Sequence, residues 1–550
     1  MKKVIYIFIF VFAVVNTGLA CTNIIVGKKA SKDGSIFVSY NADSYGNFGV
    51  MQHFTAATHQ QGEKRKVYEW ERGGYLGEID EAPVTYNVVG NMNEHQLCIT
   101  ETTFGGRPEL VDTAGIIDYG SLIYITLQRA KTAREAIDVM DELVQRYGYN
   151  SSGETFSIAD PNEAYILEMV GKGAGGHGAV WVAVRIPDEA VCVHANQSRI
   201  HQFMKLPKDQ VLYSKDVITF ARKLNLYNGK DEDFDFANTY CPLDFGGARY
   251  CEARVWAVYN MYADGMERYL DYASGNDFKA EPLPLYIIPK RPIGIEDVRA
   301  GMRDHYDGTP LDMTHDLGAG VWLSPYRPRP LSWEMDGQKY FNERPVGTQQ
   351  SGFAMISQLR NYLPNPVGGI LWFSNDDAHT TPYTPVYCCA TKVPDCYTTK
   401  YGNAVKFSLK SAFWVQNWVS NMVYPRYSQL FPDLKKARDE MDNHYIAEQS
   451  RVEAKAKDLC NNHEVDKAVA YLTQYSSDAA QLMMDRWVEL AEYLIVKYND
   501  MVEKVDLPEG GFQVNSHGSD TISAVVKGPG YDDAVKREII RTTGDKFRVK

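Results

Sequence analysis

The chain has 550 residues, of which 44% are hydrophobic and 23% charged, the proportions of a folded globular protein with room for two or three units at roughly 150 residues each. Its formal net charge is −12 and it carries no basic block, which speaks against nucleic acid as a partner. Lys2 and Lys3 precede an almost wholly apolar run over 4–15, shorter than the roughly 20 residues that span a bilayer. Gly18-Leu19-Ala20 then offers small residues where a signal peptidase reads. Residues 1–20 therefore read as a secretory signal peptide, and the mature chain is expected to begin at Cys21 and to be exported, to the periplasm or outside the cell. No later run is long and apolar enough for a transmembrane helix.

From Cys21, "CTNIIVG" reads as a strand, "KKASKDG" as a turn carrying Asp33-Gly34, and "SIFVSYN" as the returning strand. "YNVVGNMNEHQLCITETTF" reads as a further strand pair. Thr132 and Glu135 in "TARE" fit a capping box, and Ile137, Met140, Val144 and Tyr147 follow at helical spacing up to Gly148. "EAYILEMV", "AVWVAVRI" and "AVCVHAN" are strands, "EARVWAVYNMY" a helix, and "PLPLYIIPKRP" a proline-rich connection. "GGILWFS" is strand-like, and the reading from about 405 to 505 is mainly helical. Strands, helices and strands in this order suggest a layered α+β architecture.

Several motifs resolve to plain structure. Gly171, Gly173 and Gly176 in "GKGAGGHG" spell GxGxxG, but a strand follows where a dinucleotide site needs a helix, so this is a hairpin turn. The 12 histidines include no HExxH, and His194 and His201 are too loosely spaced for a metal site. Asp376, Asp377 and His379 in "NDDAHTTPY" lack a second ligand cluster and read as a polar loop. No GxSxG elbow is present, which weakens a serine-hydrolase reading. Export permits disulfides among the nine cysteines. Cys241 with Cys251, and Cys396 with Cys388 or Cys389, are candidate local pairs. The odd count leaves a thiol over, and Cys21 is the candidate for it.

Cys21 is the position with chemistry of its own. One bland reading is a lipoprotein cysteine bearing diacylglycerol, yet a lipobox has Leu three residues before the cysteine and this chain has Gly18 there. Another is an ordinary strand or disulfide cysteine. The chemical reading starts from cleavage after Ala20, which would give Cys21 both a thiol and a free α-amine. The thiolate is a nucleophile with an ordinary pKa near 8.5. The amine, at about 7.7–8.0, is partly neutral near pH 7 and can take the thiol proton. Removal of the signal peptide would thus itself create a nucleophile and its base.

The segments "CTNIIVGKKASKDGS", "GNMNEHQLCITETTFGGR", "WVAVRIPDEAVCVHANQSRI", "EARVWAVYNMY", "ERPVGTQQSGF" and "GGILWFSNDDAHTTPYTPVY" occur in the order found in one family. The chain resembles the C69 dipeptidases, cysteine N-terminal-nucleophile hydrolases related to choloylglycine hydrolases and penicillin V acylases. The resemblance implies a four-layer αββα sandwich over 21–400, followed by a helical region over 401–510 and a tail over 511–550. It implies a dipeptidase with dipeptide substrates and no cofactor or metal, its oligomeric state left open. It also implies that Cys21 is the nucleophile. Related hydrolases carry Arg-Asn-x-Asp about twenty residues on, where this chain has "YNAD": Asp43 falls on the Asp, and Tyr40 replaces the Arg as a substrate-side residue. "HANQSRI" resembles the segment that supplies an oxyanion asparagine, here Asn196, and "EARVWAVY" places Arg254 at a catalytic-site arginine. Related acylases have an asparagine near Thr103, which makes Thr103 a further substrate-side candidate. The alternatives are an N-acyl amidase on the same fold and a non-catalytic surface lipoprotein.

Overall fold

The computed structural model describes residues 21–44 and 46–550; the predicted signal segment over 1–20 lies outside them. The first hairpin forms where its turn residues require it. Strand β1 (Asn23–Val26) leads to Asp33-Gly34 and returns as β2 (Ile36–Asp43). Gly34 has φ 79°, a left-handed value that glycine adopts without steric penalty, and Asp33 accepts a hydrogen bond from the Ser35 amide at 3.0 Å.

The strands that follow are β3 (His53–Phe54), β4 (Val88–Val89), β5 (Met92–Asn93), β6 (Cys98–Gly105), β7 (Gly153–Ala159), β8 (Ala164–Gly171), β9 (Ala179–Arg185), β10 (Val191–His194), β11 (Val211–Tyr213), β12 (Ser351–Leu359), β13 (Ile370–Asn375) and β14 (Thr384–Tyr387). With β1 and β2 they make two antiparallel sheets, and the remaining strands pair as separate two-stranded ribbons. The first runs β10-β1-β2-β12-β13-β14 and the second β11-β9-β8-β7-β6-β5-β4-β3.

The second sheet separates two cores by simple alternation. Ala164, Ile166 and Val170 of β8, with Val180, Val182 and Val184 of β9, join the core shared with the first sheet. Their neighbours Tyr165, Leu167, Met169, Trp181 and Ala183 join a separate core beneath two helices. This is the two-residue period of a strand read out on both faces. Those helices are α1 (Tyr119–Leu127) and α2 (Ala133–Tyr147). The Thr132 hydroxyl caps α2 by accepting from the Glu135 amide at 3.2 Å, and Gly148 ends it at φ 77°.

The first sheet is covered by α3 (Ala253–Tyr262), α4 (Ile295–Met302), α5 (Ala412–Val423) and the long pair α6 (Tyr427–Asn461) and α7 (Val465–Tyr498). Helix α3 packs on β10, α4 on β2, α5 on β13 and α7 on β14. The molecule is therefore an α+β sandwich of four layers, αββα, with the expected helical segment at its C-terminal side. Beyond it, Val514–His517 and Asp520–Ala524 form a hairpin, and the helix Asp533–Thr543 buries none of its residues.

The glycine-rich string over 171–178 is the turn joining β8 to β9, with Gly171 opposite Ala179. Among the described residues, no helix is long and apolar enough to cross a membrane. The expected local disulfides do not form, and all nine cysteines are free thiols. Their sulfurs are turned to other partners: Cys241 Sγ donates to the Phe104 carbonyl at 3.6 Å and Cys388 Sγ to the Asn365 carbonyl at 3.5 Å.

Candidate active site

Strand register assembles the site. Asn23 of β1 lies opposite His194 of β10, so residues before Asn23 run beside residues after His194. Thr22 bridges to Asn41 on β2. Cys21 is thereby set at one end of the sheet, with Asp43 on one side and Asn196 on the other. A buried polar layer fastens this end to the second sheet. Asn23 Nδ2 donates to Thr100 Oγ1 at 2.7 Å and to Ser157 Oγ at 3.3 Å. The His194 ring lies between Thr102 Oγ1 (2.8 Å) and Ser157 Oγ (2.7 Å). Burial lowers the His194 pKa to about 3, so the ring is a neutral structural link.

Cys21 is 2% exposed and lines a cavity of about 260 Å³. Its thiol donates to Glu101 Oε1 at 3.6 Å and lies 3.8 Å from the Tyr40 hydroxyl. Tyr40 in turn donates to Glu101 Oε1 at 2.5 Å. Burial, with the nearby charges of Glu101 and Asp43, pushes the thiol well above its ordinary range. Trp70 and Gly120 form another part of the wall. A Cβ on Gly120 would lie 2.2 Å from Trp70 Cγ, so only glycine permits this contact at the start of α1.

Asp43 is 1% exposed and is fixed from the facing strand and the loop before it. Ser351 of β12 donates to its Oδ1 at 2.5 Å, and Arg344 Nη2 donates to its Oδ2 at 2.9 Å. Burial raises the carboxyl to about 7 against the pull of Arg344 and Ser351.

Arg254 is fully buried rather than exposed on its helix. Its Nη1 donates to the Cys21 carbonyl and to Thr22 Oγ1, both at 2.6 Å, and its Nη2 to Asn196 Oδ1 at 2.8 Å. Its Nε donates to the Tyr250 carbonyl at 2.5 Å. The guanidinium fork thus ties the backbone of the cysteine to the asparagine. Asn196 Nδ2 also donates to the Thr103 carbonyl at 2.7 Å.

The structure brings Cys21, Tyr40 and Asp43 to one cavity and places Asn196 and Arg254 directly behind the cysteine. Thr103 lines the adjoining cavity instead, with Tyr119 between the two. Sequence reading did not single out Glu101, Glu154, Arg344 or Ser351. The available signal was a charged residue inside a strand of otherwise apolar and hydroxyl side chains, "CITETTF".

The polar turn Asp376, Asp377 and His379 is buried and internally paired. Asp376 accepts from Ser420 Oγ (2.6 Å) and Asn417 Nδ2 (2.9 Å), and His379 Nε2 meets the Tyr427 hydroxyl at 2.8 Å. Among the described residues, no group of three or more His, Cys, Asp or Glu side chains is arranged to hold a metal ion.

An αββα sandwich with a buried cysteine two residues before β1, opening on a cavity of about 260 Å³, is the setting of a cysteine-type peptidase. The chain belongs to peptidase family C69, whose family model matches residues 20–72 and 71–440. It is 25% identical to a probable dipeptidase of Latilactobacillus sakei over 499 residues, covering 87% of this chain and 95% of that protein. A probable dipeptidase of Salmonella dublin is 25% identical over 391 residues, 67% of this chain and 81% of the relative. Dipeptidase A of Lactobacillus helveticus is 24% identical over 475 residues, 82% of this chain and 89% of the relative.

Proposed function

We propose that the protein is an exported dipeptidase that works through a thioester on Cys21, after removal of residues 1–20. The observation that carries this reading is the setting of Cys21. Its thiol faces the cavity while Arg254 clamps its carbonyl. The names of the relatives and the family support dipeptides as substrates.

The chemistry follows from the charges. The buried thiol is held in its protonated form at neutral pH, so a base must take its proton as attack begins. In the unprocessed chain the Cys21 nitrogen is an amide and no base. Cleavage after Ala20 turns it into an amine that can accept the proton. Sγ then bonds to the scissile carbonyl carbon, and the carbonyl electron pair moves to oxygen. Asn196, locked by Thr103 and Arg254, is the amide assigned to that oxyanion, a type of contact worth about 2.7–4 kcal/mol. As the carbonyl re-forms, the C–N bond breaks, and the α-ammonium of Cys21 gives its proton to the leaving amino acid. Water then gives a proton to the same amine while its oxygen bonds to the thioester carbonyl carbon; the C–S bond breaks, and the ammonium returns the proton to the sulfur. Asp43 steadies the ammonium while it holds the proton.

Intact-mass analysis and a dipeptide panel test the reading together. The mature protein is expected to start at Cys21 with a free amine and thiol, and Cys21→Ala is expected to abolish hydrolysis with the fold intact. A lipid adduct, a different start, or full activity in the alanine variant would overturn it. Recovery of the mature form from the cytoplasm alone would overturn export.

A further inference from the structure

Among the described residues, Glu101, which shares the cavity of Cys21, and Glu154 beside it have no partner cation, as is also true of buried Glu168, Asp304 and Asp376, but of these only Glu101 lines that cavity. Glu101 is 2% exposed and Glu154 1%. Thr103 Oγ1 links them, 2.9 Å from Glu154 Oε1 and 3.5 Å from Glu101 Oε2. Elsewhere, buried Glu252 is paired with Arg199 at 3.0 Å, and buried Asp442 with Arg303 at 2.7 Å and Arg299 at 3.2 Å. Neither Glu101 nor Glu154 has an ion pair among the described residues, and no Lys or Arg lines the cavity around Cys21. Glu154 Oε2 is buried and receives no hydrogen bond from any described residue. A buried carboxylate left in this state is expensive unless a positive charge arrives or a proton is retained.

Geometry says which positive charge fits. In a peptide the α-nitrogen of a residue is about 2.5 Å from its own carbonyl carbon. Attack brings that carbon within about 3–3.5 Å of the sulfur. A charge-assisted N–H···O contact is about 2.8 Å long. A chain of these three lengths closes readily on the 3.6 Å that separates Cys21 Sγ from Glu101 Oε1. An amine attached to the carbon next to the scissile carbonyl can therefore sit on Glu101 while its own carbonyl is attacked. Asp43 is not the group for this, since it already has a cation, Arg344 Nη2, 2.9 Å from its Oδ2.

Building on the dipeptidase reading, we propose that Glu101 and Glu154 form the seat of the substrate's free α-ammonium. The enzyme then cleaves the bond that follows a free amino-terminal residue and discriminates against chains whose amine is acylated or missing. Glu101 makes the contact, and Glu154 supplies the second charge through Thr103. Burial raises both carboxyls, and the charge of Glu101 raises Glu154 further, so the pair keeps a proton until the ammonium replaces it.

The test uses the mature enzyme with three substrates of one sequence: a dipeptide, its des-amino analogue and its N-acetyl form. The wild type is expected to favour the dipeptide by about 10²-fold or more in kcat/KM. Glu101→Gln should shrink that preference at least about tenfold, chiefly by raising KM for the dipeptide. Glu154→Gln, which removes a residue that touches neither Cys21 nor Tyr40, should shrink it in the same direction and covers the case in which the first variant does not fold. A merely structural role would lower all three substrates alike. An unchanged preference in both variants, with Cys21-dependent dipeptide hydrolysis intact in the wild type, overturns the ammonium seat alone. A wild type that prefers the N-acetyl or des-amino substrate overturns the dipeptidase reading as well.

Discussion

Asp43 and Glu101 line the same cavity, are equally buried, and come from opposite sheets. Asp43 is met by an arginine and a serine, donated by β12 and the loop before it. Glu101 is met by a tyrosine, a thiol and another acid through Thr103. The difference lies in the strands. The end of β2 is flanked by β12, with Asp43 opposite Ser351, so its partners are built into the sheet. Strand β6 pairs with β7 along its length but with β5 only at Cys98, so past that point its other edge has no strand to supply a partner. A saturated carboxylate serves as a fixed countercharge, whereas one without a cation has something left to bind.

The largest effect expected from this contrast is on stability. Arg344→Ala removes one partner of a buried ion pair, which typically costs about 3–5 kcal/mol. Glu101→Gln removes a charge that had no cation and should shift stability by no more than about 1 kcal/mol. The pH dependence has a definite sign. Asp43 binds its proton more tightly folded, at about 7, than unfolded, at 3.8. Its contribution to stability therefore falls as pH rises between those values. Without Arg344 the folded value goes higher still, so the deficit of the variant should widen as pH rises above 7. Urea unfolding at pH 5, 7 and 9 measures both variants. An Arg344→Ala protein as stable as Glu101→Gln across this range would erase the distinction.

Asp43→Asn comes next, with its effect on turnover. Asparagine keeps the shape and loses the charge that, in the proposed mechanism, steadies the α-ammonium of Cys21. We expect kcat to fall by about 10²-fold with little change in KM, the scale of a lost acid–base partner. The wild-type rate should also climb through about pH 7 as Asp43 ionises, a limb that becomes shallower in the variant. Steady-state kinetics against pH decide this. An unchanged kcat, with KM raised for dipeptides only, would assign amine recognition to Asp43 and take it from Glu101.

The sequence made much of this visible, for physical reasons that also explain the gaps. The hairpin at Cys21, the capped helix at Thr132, the turn over 171–178 and the C-terminal helices all rest on local signals: turn residues, caps and periodicity. The reading of Cys21 as nucleophile rests on the predicted leader before it, and those of Asp43 and Asn196 on resemblance. Arg344 was out of reach because its partner Asp43 is some three hundred residues away, and only the pairing of β2 with β12 joins them. Glu101 and Glu154 look like ordinary strand polarity until β6 is seen to lose its neighbour. The cysteine pairs failed because spacing in sequence says nothing of where the sulfurs point.

A smaller effect is expected at Arg254, a positioning residue. Its fork reaches the Cys21 carbonyl, Thr22, Asn196 and the Tyr250 carbonyl at once. Lysine keeps the charge but has one nitrogen and cannot hold the cysteine backbone and Asn196 together. Arg254→Lys should lower kcat about tenfold while leaving the substrate preference set by Glu101 unchanged. A change in the ratio of dipeptide to N-acetyl substrate would show that Arg254 acts on the amine seat instead.

The smallest effect separates the two roles open to Tyr40, which stands between the thiol and Glu101. Its ring is held edge-on to Phe353 with centroids 5.5 Å apart, so Tyr40→Phe should keep the packing and lose only the hydroxyl. That hydroxyl donates to Glu101 at 2.5 Å and lies 3.8 Å from the sulfur. Without it, more of the Glu101 charge is left uncompensated beside Cys21. The thiolate becomes harder to form, and the seat becomes more attractive to an ammonium. Both consequences have a sign: alkylation of Cys21 by iodoacetamide should slow, kcat should fall by about threefold to tenfold, and KM for dipeptides should fall or hold. The range reflects one charge-assisted hydrogen bond, worth about 1.5–3 kcal/mol at most, shared between the two states. A substrate-binding role for the hydroxyl predicts the reverse, a raised KM with alkylation unchanged. That outcome would move Tyr40 from the nucleophile's side of the cavity to the substrate's, and would leave Glu101 with one donor fewer in the free enzyme than its geometry indicates.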